Sequence, residues 1–192
     1  MKKRTINVMT ITMSAMFIAL GVVLNYIRIP LSNVTEITLT GLPIAASAYM
    51  FGPWIGFATG ALIDVIGFVI APKGVYFPGF TISTGLIGMI YGLLLYCNRW
   101  NKRGDSASLL RNGNKGLAVR IVLAHFLKTV FISLMLNCFW LSMFYGMEYK
   151  VVFIASLPKE LINFPIEAFL IFTVINLIKR LRPAESVQHY DE

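Results

Sequence analysis

Lys159 and Asn163 stand four residues apart in a long apolar run, with Glu160 beside the first and Pro165 just beyond the second. On a helix that spacing puts a cation and an amide on one face. Pro165 removes a backbone donor and loosens the turn before it. A face of this kind, open to one side of a membrane, suits the carboxylate of a ligand. The competing use is a lysine whose stem lies along apolar surface while its ammonium stays in water. Glu167 lies farther along the same face and is expected to meet a basic residue of another helix. A second set is Asp64 and Lys128, with His125 one turn from Lys128. Ionisable groups inside a membrane are costly and face the interior. Both lie about 12–15 Å from the same membrane face at 1.5 Å per residue, so they are expected to form a structural ion pair. The third set is aromatic. The stretch 72–80 carries Tyr76, Phe77 and Phe80 among prolines and glycines, with Lys73 inside it. It reads as a rigid lid with stacking surfaces, although aromatic residues also belt membrane interfaces without binding anything. With Asn137, Trp140 and Tyr145 it outlines a pocket for a flat or amphipathic ligand.

The elements that must position these residues follow from composition. The chain has 192 residues, 57% hydrophobic and 14% charged, against roughly 45–50% and about 25% in soluble domains. A soluble globular domain and a disordered chain are both excluded. A membrane helix needs about 20 apolar residues. Residues 5–27, 37–63, 74–98 and 129–147 contain no charge, and 151–178 contains only Lys159, Glu160 and Glu167. Gly52-Pro53 and Pro72-Lys73-Gly74 divide these runs. The reading is an all-α membrane protein with six transmembrane helices at about 6–27, 38–51, 54–71, 78–97, 120–144 and 151–179. The second is short for a span. The domain is 1–182, with a polar loop 98–119 and a polar tail 183–192 that holds His189. The first apolar run exceeds the core of a signal peptide and five spans follow, so it reads as a retained helix.

Lys2, Lys3 and Arg4, the loop residues Arg99, Lys102, Arg103, Arg111 and Lys115, then Arg120, Lys179, Arg180 and Arg182 fall on one side of this bundle. Arg28, Lys73 and Lys150 fall on the other. Basic residues mark the cytoplasmic face, so both termini are expected in the cytoplasm. The net charge of +8 then reports topology, and no nucleic-acid partner is expected.

Several chemistries lack their motifs. There is no phosphate-binding G-x-x-x-x-G-K-[ST] loop, no G-x-S-x-G and no H-E-x-x-H. Cys97 and Cys138 have neither metal nor disulfide spacing. No enzyme, cofactor or metal is expected. Ala15 and Ala19, Gly56 and Gly60, and Gly88 and Gly92 are small pairs four apart, a spacing that lets helices approach closely.

In order along the chain stand Leu42-Pro43-Ile44-Ala45, Phe51-Gly52-Pro53-Trp54, Gly60-Ala61-Leu62-Ile63-Asp64, and Tyr76-Phe77-Pro78-Gly79-Phe80-Thr81-Ile82-Ser83. Leu136-Asn137, Trp140-Leu141-Ser142, Tyr145-Gly146, Pro158-Lys159-Glu160 and Pro165-Ile166-Glu167 follow. This order resembles the S component of energy-coupling-factor (ECF) vitamin transporters, of the folate type, over nearly the whole chain. The resemblance implies a six-helix subunit of a bacterial plasma membrane that captures a water-soluble vitamin at the outer face. It implies a transmembrane coupling subunit and two ATP-binding subunits as partners, with Ala15 and Ala19 matching the family's contact to the coupling subunit. The implied site lies in the outer loops and outer halves of helices four to six. Combined with the residues above, the expected ligand contacts are Arg28, Lys73, Tyr76, Phe77, Phe80, Asn137, Trp140, Lys159, Glu160 and Asn163. Folate-type members carry a basic residue just before helix two, where this chain has Glu36. Folate is favoured, pantothenate is the rival vitamin, and a standalone channel is the alternative class.

Overall fold

The computed structural model describes residues 8–26, 28–30, 36–72, 76–96, 113–146 and 148–181. Six helical rods and one short ribbon account for them. Helix α1 is Val8–Tyr26. Strand β1, Arg28–Pro30, pairs antiparallel with β2, Glu36–Thr38, with Ile29 opposite Ile37. Helix α2 is Gly41–Phe51 and α3 is Pro53–Ile70. Helix α4 begins at Pro78, is α-helical to Tyr91 and continues in wider turns over Gly92–Tyr96. Helix α5 has three joined parts: Gly113–Leu127, a wider-wound Lys128–Asn137, and Cys138–Tyr145. Helix α6 is Tyr149–Leu181.

The expected all-α membrane bundle is the observed one, with three differences in detail. Thr38, assigned from sequence to the second helix, ends β2 instead, because β-branched Ile37 and Thr38 fit an extended ribbon. Residues 113–119, assigned to the polar loop, are already helical in α5. The ribbon itself carries no periodic signal in so few residues. The rest of the 98–119 loop, the tail 183–192 and His189 lie outside the described residues.

Among the described residues, five helices are long and apolar enough to cross a membrane. The exception, α2, has 11 residues, about 16 Å of helix against roughly 30 Å of hydrocarbon. Its first turn tolerates Pro43, whose missing amide would be unpaired there anyway. Gly52, at φ 97°, reverses the chain into α3, a conformation that costs glycine nothing. Ser47 and Thr59 hydroxyls meet at 2.9 Å across this corner, fully buried.

The tightest packing joins α3 to α4. A side chain at Gly60 would collide with the Thr84 carbonyl, and one at Gly88 with the Gly56 carbonyl. The small pairs Gly56/Gly60 and Gly88/Gly92 therefore serve internal packing. Ile44, Ile63, Tyr91, Leu95, Ile121 and Ile175 fill the core. Val8, Met16, Trp54, Leu161 and Phe169 are exposed, as a lipid-facing surface requires.

Candidate ligand-binding site

The aromatic lid and the C-terminal part of α5 meet at the end of the bundle away from Arg120 and Arg180. Phe77 is extended, at φ −126° and ψ 116°, and Pro78 starts α4. The Phe77 ring lies 5.1 Å from Trp140 and 5.8 Å from Phe80, centre to centre. Phe139 packs edge-on against Trp140 at 5.3 Å. Gly79 makes this possible, since a Cβ there would strike Phe77 and come within 2.9 Å of the Trp140 ring. Beside these rings, the Trp140 indole nitrogen and the Asn137 Oδ1 are buried and have no hydrogen-bond partner. Buried polar atoms are nearly always paired, so orphans of this kind call for a reason.

The wide winding of α5 sets where Asn137 and Trp140 point. The Cys138 thiol donates to the Ser133 carbonyl five residues back, at 3.5 Å. Such stretches are rare in helices and concentrate at functional sites.

Below the rings lies a polar interior. Ser156, Glu160, Asn163 and Glu167 form the buried face of α6, at helical spacings of three and four. Lys128 donates to Glu167 Oε2 at 2.8 Å, and Asn163 Nδ2 donates to the same oxygen at 3.0 Å. Glu167 also closes against Gly41 at the start of α2, where a side chain would collide with its carboxylate. A carboxylate at a helix N-terminus is stabilised by the helix dipole. Tyr91 and His125 share a 2.9 Å hydrogen bond, and His125 Nε2 stands 3.8 Å from Glu167. Thr129 donates to Glu160 at 3.4 Å.

The chain matches the family described as ECF transporter, substrate-specific component, over residues 9–175. The chain belongs to the substrate-specific components of ECF transporters. A relative from Clostridium novyi, named folate transporter FolT, is 36% identical over 152 residues, covering 79% of this chain and 78% of its own. A FolT from Leuconostoc mesenteroides is 28% identical over 167 residues, covering 84% of this chain and 82% of its own. A crystal structure of FolT bound with folic acid superposes with a TM-score of 0.72 at 29% identity, covering 88% of this chain and 94% of that one. A bacterial ECF transporter S component shares the fold, at a TM-score of 0.65 and 20% identity over 91% of this chain and 98% of that one. This S component is thus a multi-pass membrane protein.

The S-component fold gathers some of the expected residues and not others. Phe77, Phe80, Trp140 and Asn137 come together as described. Tyr76 sits at the edge: its hydroxyl pairs with Thr81 at 2.8 Å and its ring with Phe68 at 5.2 Å. Glu160 and Asn163 point into the bundle, whereas the Lys159 side chain keeps 28% exposure, 4.0 Å from Glu160. Arg28 pairs through its backbone with Thr38; its side chain, Lys73 and the Tyr145 side chain lie outside what is described. Ala15 and Ala19 are exposed on α1.

The ion pair expected between Asp64 and Lys128 is replaced by Lys128 with Glu167. Equal depth did not decide the partner; helix faces did. Asp64 is one turn beyond Gly60 on the face of α3 that meets α4, and it accepts from Thr81 at 2.7 Å. Lys128 faces α6. Sequence reasoning missed Gly79, Thr81 and Tyr91. Tyr91 had a faint signal, a phenol in an apolar helix that needs a buried partner.

Proposed function

We propose that this S component captures folate at the outer face of a bacterial cell membrane and delivers it through partner subunits. The observation that carries the reading is the cluster of Phe77, Phe80 and Trp140 beside the unpaired Trp140 nitrogen and Asn137 oxygen. It offers a flat heteroaromatic ring both stacking faces and hydrogen bonds. The folate named for the FolT relatives has such a ring. Lys159, at the half-exposed rim, supplies a cation for the ligand's carboxylates. The partners are a transmembrane coupling subunit, docking over the exposed Ala15 and Ala19, and two ATP-binding subunits that supply the energy. On this reading the chain binds its ligand without transforming it.

Pantothenate is the second reading, favoured by Glu36 where folate-type members carry a base. Calorimetric titration of the purified protein with each vitamin tests both. Tight folate binding with a weak pantothenate response is expected. Tight pantothenate binding with no folate heat overturns the proposal.

A further inference from the structure

Tyr149, the first residue of α6, reaches back to α5 and donates its hydroxyl to the Leu134 carbonyl at 3.2 Å. Its ring stacks on Phe153, 6.0 Å centre to centre and 27° from parallel, which fixes the direction of the phenol. Leu134 lies near the end of the wider-wound stretch Lys128–Asn137. In an α-helix its carbonyl is the partner of the Cys138 amide, four residues on. Here that amide turns to the Met135 carbonyl instead, and the Cys138 thiol goes to Ser133. A backbone acceptor shut off from water needs a donor. At Leu134 that donor comes from outside α5, at the exit of the winding. The Tyr149 hydroxyl thus supplies the bond that the wide winding gives up. It favours that winding over the α-helical alternative, in which the carbonyl has its own amide.

Asn137 and Trp140 follow Leu134 in the chain, so their bearing depends on how this exit is wound. With the number of residues fixed, rewinding towards an α-helix turns them about the axis. It carries Trp140 away from the Phe77 ring, which it meets at 5.1 Å. Resting on the folate reading above, we propose that Tyr149 is a positioning residue of the ligand site. It acts through α5 and not on the ligand: its hydroxyl holds the exit of the wide winding and so sets where Asn137 and Trp140 point. The start of α6 is thereby tied to the wall of the site through one bond.

Tyr149→Phe tests this, because it keeps the ring and its stacking on Phe153 and removes only the hydroxyl. The full chain in detergent is titrated calorimetrically with folic acid and with pantothenate, and its thermal midpoint is read without ligand. Freed from Tyr149, the Leu134 carbonyl can recover the Cys138 amide, so the midpoint is expected to stay near wild type. Folic acid is expected to bind about three- to tenfold weaker, as one lost hydrogen bond makes the binding-competent winding the minor form. In ligand-free protein with Trp54 and Trp100 replaced, acrylamide is expected to quench Trp140 more strongly, since its ring leaves Phe77. Phe153→Leu keeps the hydroxyl but loses its stacked support, and should move affinity and quenching the same way by less. It carries the test if Tyr149→Phe does not fold. A lowered midpoint with affinity and quenching unchanged is the mark of a merely structural tyrosine and overturns the inference. So does a variant that matches wild type in all three readouts. Wild type that binds pantothenate and not folic acid overturns the folate reading, while the quenching, read without ligand, still decides the role of Tyr149.

Discussion

Lys128 Nζ lies 2.8 Å from Glu167 Oε2, and neither side chain has more than 8% of its surface open. The pair ties α5 to α6 where α2 begins, and Asn163 is bonded to the same carboxylate. Removing one partner of a buried pair leaves the other charge stranded, at a cost of about 3–5 kcal/mol. Lys128→Met and Glu167→Leu are each expected to lower the thermal midpoint in detergent sharply. The double variant is expected to recover much of the loss. Strict additivity in the double variant would mean that the two groups do not interact.

Gly79 is the second test. Gly79→Leu drives a side chain into the space held by Phe77 and Trp140. The helix itself tolerates leucine better than glycine, so the protein should stay folded. Folate affinity is expected to fall by about 1–3 kcal/mol, the range for losing a stacking platform. Titration followed by Trp140 fluorescence, with Trp54 and Trp100 replaced, reads this directly.

Lys159→Ala tests the rim of the site. Its half-open side chain argues for the low end of the usual range, about 2 kcal/mol lost for folate. A pterin without a carboxylate tail should bind the variant and wild type alike. Equal losses for both ligands would place Lys159 in a structural role beside Glu160.

Ala15→Trp and Ala19→Trp address the partner surface. Both positions are exposed on α1, so bulk there should leave folding and ligand binding intact. Reconstituted uptake and co-purification with the coupling subunit are expected to fail. Loss of ligand binding would instead mean that this face of α1 packs within the subunit.

The sequence disclosed the helices because uncharged runs of span length have few other uses, and Gly52-Pro53 punctuates two of them. It disclosed the aromatic half of the site because Tyr76, Phe77 and Phe80 cluster within a few residues, and Trp140 falls at a matching depth. Glu167 was legible as a group in need of a base, but its partner was not. Pairing Lys128 with Asp64 used depth alone, whereas rotation about each helix axis decides contacts and one sequence carries it weakly. Gly79 stood in the sequence only as one of the glycines of the lid, because its role depends on two rings packed around it.

The winding of α5 over Lys128–Asn137 makes the chain there a counting device. With five residues between bonded groups instead of four, the segment holds more chain than an α-helix joining the same two anchors. Deleting one residue between 130 and 136 would leave a continuous rod, and hydropathy would hardly change. The excess chain would take up the loss as the segment rewinds towards an α-helix, so Asn137 and Trp140 would keep their bearing towards Phe77. The phase between the charged anchor below and the aromatic wall above is thus buffered by the extra chain in that winding.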